Sequence, residues 1–266
     1  MIKLILCDLD GTLFDKNKNI SDENIKAIKS LKETKFVVAT GRPISGAMSV
    51  ASTLGLDSPG NYTVCYNGAL IVENKTLKPI YKRTIPGSFV KKAFKAGMGF
   101  GTNFHAFLAD GTLVTNEKNP YTAVEERLNR LDAKVIDVTK IDDNEQFLKC
   151  MLVGDKELLD HVMENVPQEF LEETNMVRSA GIYLEFLNKE CNKGYSLLFL
   201  KEYLGLETSE TMAIGDAHND KYMLEVSGTA VAMKNSFPCL FEVADFVTDD
   251  NESSGVAKAI ARVVTG

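Results

Sequence analysis

Asp8 and Asp10 stand one residue apart where an apolar run, residues 2–8 (IKLILCD), gives way to Leu9-Asp10-Gly11-Thr12. Side chains two apart on a strand point the same way. Both carboxylates can therefore face one site just past the strand's carboxyl end. Two carboxylates held together repel unless a proton or a cation sits between them. A hard divalent cation such as Mg²⁺, which takes oxygen ligands and keeps room for phosphate and water, suits such a place. Gly11 lets the chain turn away from the sheet. An acidic pair in an ordinary strand-to-loop turn would carry the same letters.

Three further segments offer complementary chemistry. Thr40-Gly41-Arg42 follows a second apolar run, residues 35–39 (KFVVA). A hydroxyl and backbone N–H groups ahead of a helix make an anion site, and equally an ordinary N-cap. Lys193-Gly194 opens a later helix. Its ammonium can neutralise a phosphate or a carboxylate as a point charge, or simply be solvated. Gly215-Asp216-Ala217-His218-Asn219-Asp220 follows the run 211–215 (TMAIG). Asp216 falls where a third acidic ligand is needed, and Asp220 can return to the same side of a following helix. The same residues suit helix caps. His218 lies inside this segment and reads as a rim residue.

The elements that must carry these residues alternate. Residues 2–8, 35–39 and 62–66 form buried strands in the first third, and 211–215, 229–233 and 246–247 form strands in the last. Helices fall between them: one capped by Ser21, one after Pro43, then 194–204, 219–226 and 255–264. Alternation of this kind implies parallel pairing through right-handed crossovers. A hairpin is expected around Asn74-Lys75. The middle, residues 84–188, differs in texture. Its β-type runs and helices such as 155–165 read as an inserted α+β domain with an antiparallel sheet, joined at Pro86-Gly87 and between Asn188 and Asn192. Asp110-Gly111 repeats the letters DGTL, but Leu108 stands where Asp8 would, so it reads as a hairpin turn. His105, beside Phe104 and Phe107 on a strand of this domain, is a possible substrate contact, and His161 is a surface or satisfied core residue.

Composition narrows the partners. The chain has 266 residues, 44% apolar and 25% charged, with a formal net charge of -7. That is the balance of an ordinary globular protein with room for one large domain or two small ones. Positive charges are dispersed in pairs such as Lys91-Lys92, which speaks against nucleic acid but not against a small anion in a local pocket. No apolar run approaches the roughly 20 residues that span a bilayer, and the short apolar start reads as a strand rather than a signal peptide. A cytoplasmic protein without a membrane partner is expected. Cys7, Cys65, Cys150, Cys191 and Cys239 are odd in number and lack CxxC spacing. They read as small apolar residues rather than disulfides or zinc ligands.

Taken in order, DLDGT, TGR, Asn67-Gly68-Ala69, Lys193-Gly194 and GDxxND resemble the haloacid dehalogenase superfamily. The insertion of about a hundred residues between NGA and the lysine resembles its Cof-type branch of sugar-phosphate phosphatases. The resemblance implies an α/β fold: a Rossmann-like three-layer core with a parallel sheet over residues 1–83 and 189–266, and a cap over 84–188. It also implies Mg²⁺-dependent hydrolysis of small phosphomonoesters, either sugar phosphates or phosphorylated cofactors. Asp8 would be the nucleophile and Asp10 the general acid/base. The metal would be held by Asp8, the Asp10 backbone carbonyl and Asp216, with Asp220 in support. Thr40 and Lys193, with Gly41 and Arg42 beside the former, would meet phosphate, and Asn219 and Asn67 would lie near phosphate or substrate. Departures such as Tyr66 before NGA, Lys221-Tyr222 after GDxxND, and Ser253-Ser254 bear on substrate contacts rather than chemistry. A phosphomutase or other phosphotransferase on the same core, or a non-catalytic phosphometabolite sensor, are the alternatives.

Overall fold

A computed structural model describes residues 1–264. The chain divides into two compact units, residues 1–41, 47–80 and 192–266 in one and residues 42–46 and 81–191 in the other. No helix among the described residues is long and apolar enough to cross a membrane.

The first unit is built on an eight-stranded sheet. Its strands run in the order Phe246–Val247, Thr229–Ala232, Thr211–Gly215, Leu4–Cys7, Lys35–Ala39, Tyr62–Cys65, Leu70–Glu73 and Pro79–Lys82. Pairing is parallel as far as Tyr62–Cys65, and Leu70–Glu73 returns antiparallel to it. Parallel strands buried on both faces need continuous apolar runs, and LILC and TMAIG are buried along their whole length. Alternate residues Ile5, Phe36, Val38, Met212, Ile214 and Val231 pack with Ile28, Val50, Val256 and Ile260 from helices on one face. On the other face the helix Lys221–Glu225 lies against the strands Thr211–Gly215 and Thr229–Ala232, with the helix Lys193–Tyr203 packed on it. The first helix, Asp22–Lys29, starts where the Ser21 hydroxyl accepts from the Asn24 N–H, with Asp22 and Glu23 in its first turn, the arrangement that best satisfies a helix N-terminus.

Strand order reverses between Leu4–Cys7 and Thr211–Gly215. Successive strands step one way from the former and the other way from the latter. Such a switch point opens a crevice at the carboxyl ends of the two strands, where open α/β sheets bind ligands. The register Cys7↔Ile214 sets these two ends side by side, and the Asp8 N–H extends the ladder to the Ile214 carbonyl at 3.0 Å.

The second unit has a mostly antiparallel sheet in the order Thr174–Ala180, Tyr183–Asn188, Gln146–Val153, Asn103–Leu108, Leu113–Thr115 and Lys134–Val135. Phe104, Ala106, Cys150, Leu152, Leu184 and Phe186 point to one face and close on Phe89, Val90 and Phe170 from its helices. Asp110-Gly111 forms the turn between two of the strands, with Gly111 at φ 89°. The face opposite the aromatic core carries charge. Lys149 meets Glu185 at 2.7 Å, each side chain only 3% exposed, and the Ser179 hydroxyl donates to the same carboxylate at 2.7 Å.

His105 belongs to that polar set. It is fully buried, with Nε2 2.8 Å from the Thr122 hydroxyl, so its role here is internal. Burial first, and then the Lys149 charge, lower its pKa from 6.5 to about 4. A histidine whose folded pKa is depressed is neutral in both states above pH 6.5. As pH falls below that value the unfolded chain takes up the proton and the folded one does not. Stability is therefore lost between pH 6.5 and 4, by about 2 kcal/mol from pH 7 to pH 5 for this group. Urea unfolding at pH 7, 6 and 5 should show His105→Gln losing about that much less stability than the wild type over the same interval.

Candidate active site

The switch point gathers the acidic residues of two segments far apart in sequence. Asp8, one step past its strand, and Asp216, one step past the neighbouring strand, are joined by Asp220. Carboxylate oxygens of all three lie within 4.8 Å of one another, and all three residues are buried. Lys193, at the first position of its helix, reaches into this group. Its Nζ lies 2.5 Å from Asp8 Oδ1 and 2.6 Å from Asp220 Oδ1. The second Asp220 oxygen accepts the backbone N–H groups of Asp216 and Ala217 at 3.1 and 3.0 Å. Asp220 thus fixes both the lysine and the loop that carries Asp216. The Thr12 hydroxyl donates to Asp216 Oδ1 at 2.7 Å, tying the first segment to the fourth.

Gly11 is required here twice over. Its φ is +94°, and a Cβ at this position would lie 2.3 Å from Asp216 Oδ2. Any side chain would clash with the carboxylate and strain the backbone.

Asp10 is placed differently from Asp8. The strand ends at Cys7, so residues 8 and 10 lie past it, where strand alternation no longer sets side-chain direction. The Asp10 carboxylate stands outside the buried acidic group, 39% exposed, and pairs with Lys18 Nζ at 2.7 Å. Its charge still reaches Asp8. Lys18 went unrecognised in the sequence because it sits eight residues on, in a turn with no periodic signal. Thr12 was visible within DGT but had no assigned partner.

The Thr40 and Asn67 segments meet beside this group. The Asn67 N–H donates to the Thr40 carbonyl at 3.0 Å, and the Asn219 amide donates to Asn67 Oδ1 at 3.1 Å. Tyr66 and Asn67 both adopt φ of 51°. Asn visits this left-handed region readily, but a buried tyrosine does so only where the surroundings over-determine it. Gly41 lies so close to Asn67 that a Cβ would come within 2.9 Å of its Nδ2. Arg42 is grouped with residues 81–191, where its charge acts on Glu125. His218 lies beside Phe237, ring centroids 4.6 Å apart, and its Nδ1 is 3.2 Å from Cys239 Sγ. Cys239 is partly exposed, unlike the other four cysteines. It follows the surface segment after Thr229–Ala232 rather than entering a core.

Three carboxylates against one ammonium leave the buried cluster short of positive charge. Burial, then Asp220, raise the Asp8 carboxyl well above its ordinary range. The same causes in the same order raise Asp216 to about 6. Burial works against the Lys193 ammonium, but Asp220 and Asp8 outweigh it and keep it charged. Hard oxygen donors, buried, close together and in electrostatic excess fit a divalent cation. Asp8 and Asp216 are the residues that would hold it, since the Asp220 oxygens already serve Lys193 and the loop amides.

The model of haloacid dehalogenase-like hydrolases matches residues 5–260. The chain belongs to that family. As a haloacid dehalogenase-like hydrolase it has relatives along its full length. A Streptococcus pyogenes protein whose name proposes a phosphatase is 34% identical, covering 99% of this chain and 98% of its own. The 5-amino-6-(5-phospho-D-ribitylamino)uracil phosphatase of Bacillus subtilis is 28% identical, covering 97% of this chain and 94% of its own. A haloacid dehalogenase-like hydrolase structure from Bacteroides thetaiotaomicron superposes with a TM-score of 0.88 at 29% identity, covering 99% of this chain and 100% of its own. This hydrolase is a phosphatase, of a family that acts on small phosphorylated substrates and generally uses a divalent metal.

An acid whose folded pKa is raised destabilises the folded state above that pKa, and the cost fades as pH falls toward the unfolded value. For Asp216 the window runs from about 6 down to 3.8. In metal-free buffer at pH 7, Asp216→Asn should therefore gain stability, up to about 3 kcal/mol. The gain should shrink toward pH 4, and added divalent cation should stabilise the wild type far more than the variant. Chemical denaturation with and without the cation measures all three effects.

Proposed function

We propose that this phosphatase hydrolyses small phosphomonoesters through an aspartyl phosphate on Asp8, in a Mg²⁺-dependent reaction. The observation that carries the reading is the buried Asp8–Asp216–Asp220 group with Lys193 at two of its oxygens. A phosphate-accepting carboxylate must be ionised and close to positive charge, and this arrangement supplies Lys193 at one Asp8 oxygen.

In the first half-reaction an Asp8 oxygen forms a bond to phosphorus while the ester P–O bond breaks. Asp10 gives its proton to the departing alkoxide. In the second half-reaction Asp10, now a carboxylate, takes a proton from water as the water oxygen attacks phosphorus. The P–O bond to Asp8 breaks, and inorganic phosphate leaves. Splitting the displacement in this way replaces one difficult step with two easier ones. The partial exposure of Asp10 leaves it open to leaving group and water, while its pairing with Lys18, which favours the carboxylate, must loosen when Asp10 carries the proton. Lys193 offsets charge on the transferring group, and Thr12 holds Asp216 in orientation. Backbone groups around Thr40 and Gly41, with Asn67 and Asn219, would receive the phosphoryl oxygens. Mg²⁺, held by Asp8, Asp216 and the Asp10 carbonyl, would neutralise charge on the phosphoryl oxygens.

Relatives named as an HMP-PP phosphatase and a 5-amino-6-(5-phospho-D-ribitylamino)uracil phosphatase support small phosphorylated metabolites as the substrate class. Five unpaired cysteines suit a reducing, cytoplasmic setting.

Asp8→Asn should lower phosphate release from an aryl phosphate on the order of 10³-fold or more while its circular dichroism matches the wild type. Removing Mg²⁺ with a chelator should abolish wild-type release, and restoring it should recover the rate. Turnover retained by the variant would refute the nucleophile assignment. Isomerised ester without free phosphate would reassign the chain to phosphotransfer.

A further inference from the structure

Gly11 creates a difficulty that the catalytic residues themselves do not resolve. Only glycine fits against Asp216, yet glycine is the residue with the most backbone freedom. It stands directly between Asp10 and Thr12. A turn free to move about Gly11 would let both side chains drift. Misplacement by an ångström can cost about a hundredfold in rate.

Two asparagines from the far end of the chain hold that turn. The Asn235 side-chain amide donates to the Gly11 carbonyl at 2.8 Å. The Asn251 side-chain amide donates to the Phe14 carbonyl at 2.8 Å. Both ends of the turn are therefore pinned from outside. The asparagines are also joined, because the Asn251 backbone N–H donates to Asn235 Oδ1 at 3.1 Å. One residue on, Glu252 accepts the Lys16 N–H at 2.7 Å.

The same segment grips the fourth motif. The Ser236 hydroxyl donates to the Gly215 carbonyl at 3.2 Å, and the Phe237 N–H donates to the Asp216 carbonyl at 2.9 Å. Residues 235–237 thus bridge the backbones on either side of the acidic cluster. None of these bonds is in a core. Asn235 is exposed, and net hydrogen bonds at such sites contribute only about 1 kcal/mol to stability. Their value lies in geometry.

We propose that Asn235 and Asn251 are positioning residues: together they fix the Gly11–Phe14 turn and so hold Asp10 and Thr12 in register with Asp216. The inference rests on the assignment of Asp10 as acid and base, and deepens it.

Asn235→Asp tests it with little change of shape. The carboxylate still accepts the Asn251 N–H but cannot donate to the Gly11 carbonyl. Asn235→Ala removes the same donor without adding charge, and Asn251→Asp removes the donor to Phe14. Each should lower kcat for an aryl phosphate about tenfold or more, with KM changed less than about twofold and the urea midpoint nearly unmoved. Hydrogen exchange at the Thr12 and Phe14 amides, both bonded to the Leu9 carbonyl, should accelerate in all three. The Asn235→Ala/Asn251→Asp double variant should lose little more than its worse single, because the two act as a unit. Unchanged exchange, or faster exchange with unchanged kcat, overturns the proposal. A loss confined to Asn235→Asp assigns the effect to added charge and overturns it as well. A wild type that releases no phosphate fails the phosphatase reading instead. Exchange then decides separately whether the asparagines hold the turn, and unchanged exchange rejects that too.

Discussion

The centre of the first unit is an electrostatic imbalance. Asp8, Asp216 and Asp220 are buried with carboxylate oxygens within 4.8 Å of one another, and Lys193 is set directly between Asp8 and Asp220. Burying ionised groups is costly, and breaking such a cluster from one side leaves an uncompensated charge worth several kcal/mol. A protein selected for stability alone would replace it with apolar residues. Its presence accords with the proposed chemistry, which needs negative oxygens converging on a cation and a phosphoryl group. Burial and the neighbouring Asp220 charge raise the Asp8 and Asp216 carboxyls, and strongly perturbed groups concentrate at functional sites.

The backbone bears the cost of assembling this cluster. Two parallel strands paired in register bring residues 8 and 216 alongside each other. Short-range devices then refine the fit: a glycine where no Cβ fits, a threonine bridging two loops, and a left-handed Tyr66-Asn67 turn that aims Asn67 at Asn219. In the second unit a separate aromatic core carries the stability. Its sheet's opposite face bears the Lys149–Glu185 pair, a polar investment that packing does not require.

Much of this was legible because parallel strands buried on both faces leave continuous apolar runs. KFVVA and TMAIG are strands at the residues read from those runs, and the α/β architecture follows from their alternation with helices. Asp8, Lys193, Asp216 and Asp220 were visible because each sits just past a strand or at a helix start, where chemistry concentrates. Asp10 was less legible, because it lies past the strand's end at Cys7, where alternation no longer sets side-chain direction, and its carboxylate pairs with Lys18. Lys18, Asn235 and Asn251 escaped for a common reason. They act through hydrogen bonds between turns, which leave no periodicity or composition to detect. The grouping of residues 42–46 with the second unit was equally invisible, because a helix start gives no sign of which neighbours it keeps.

The pairing of Leu4–Cys7 with Thr211–Gly215 has a consequence for the protein's birth. The bond from Thr12 to Asp216 spans 204 residues, and the first strand has no completed partner on that side until the later one exists. Contacts so distant in sequence form slowly, after the loop between them has closed. A nascent chain emerging from the ribosome therefore presents Asp8 long before it presents Asp216. On the proposed mechanism, the site is complete only after the Asp216 segment has been made and has paired with the first strand.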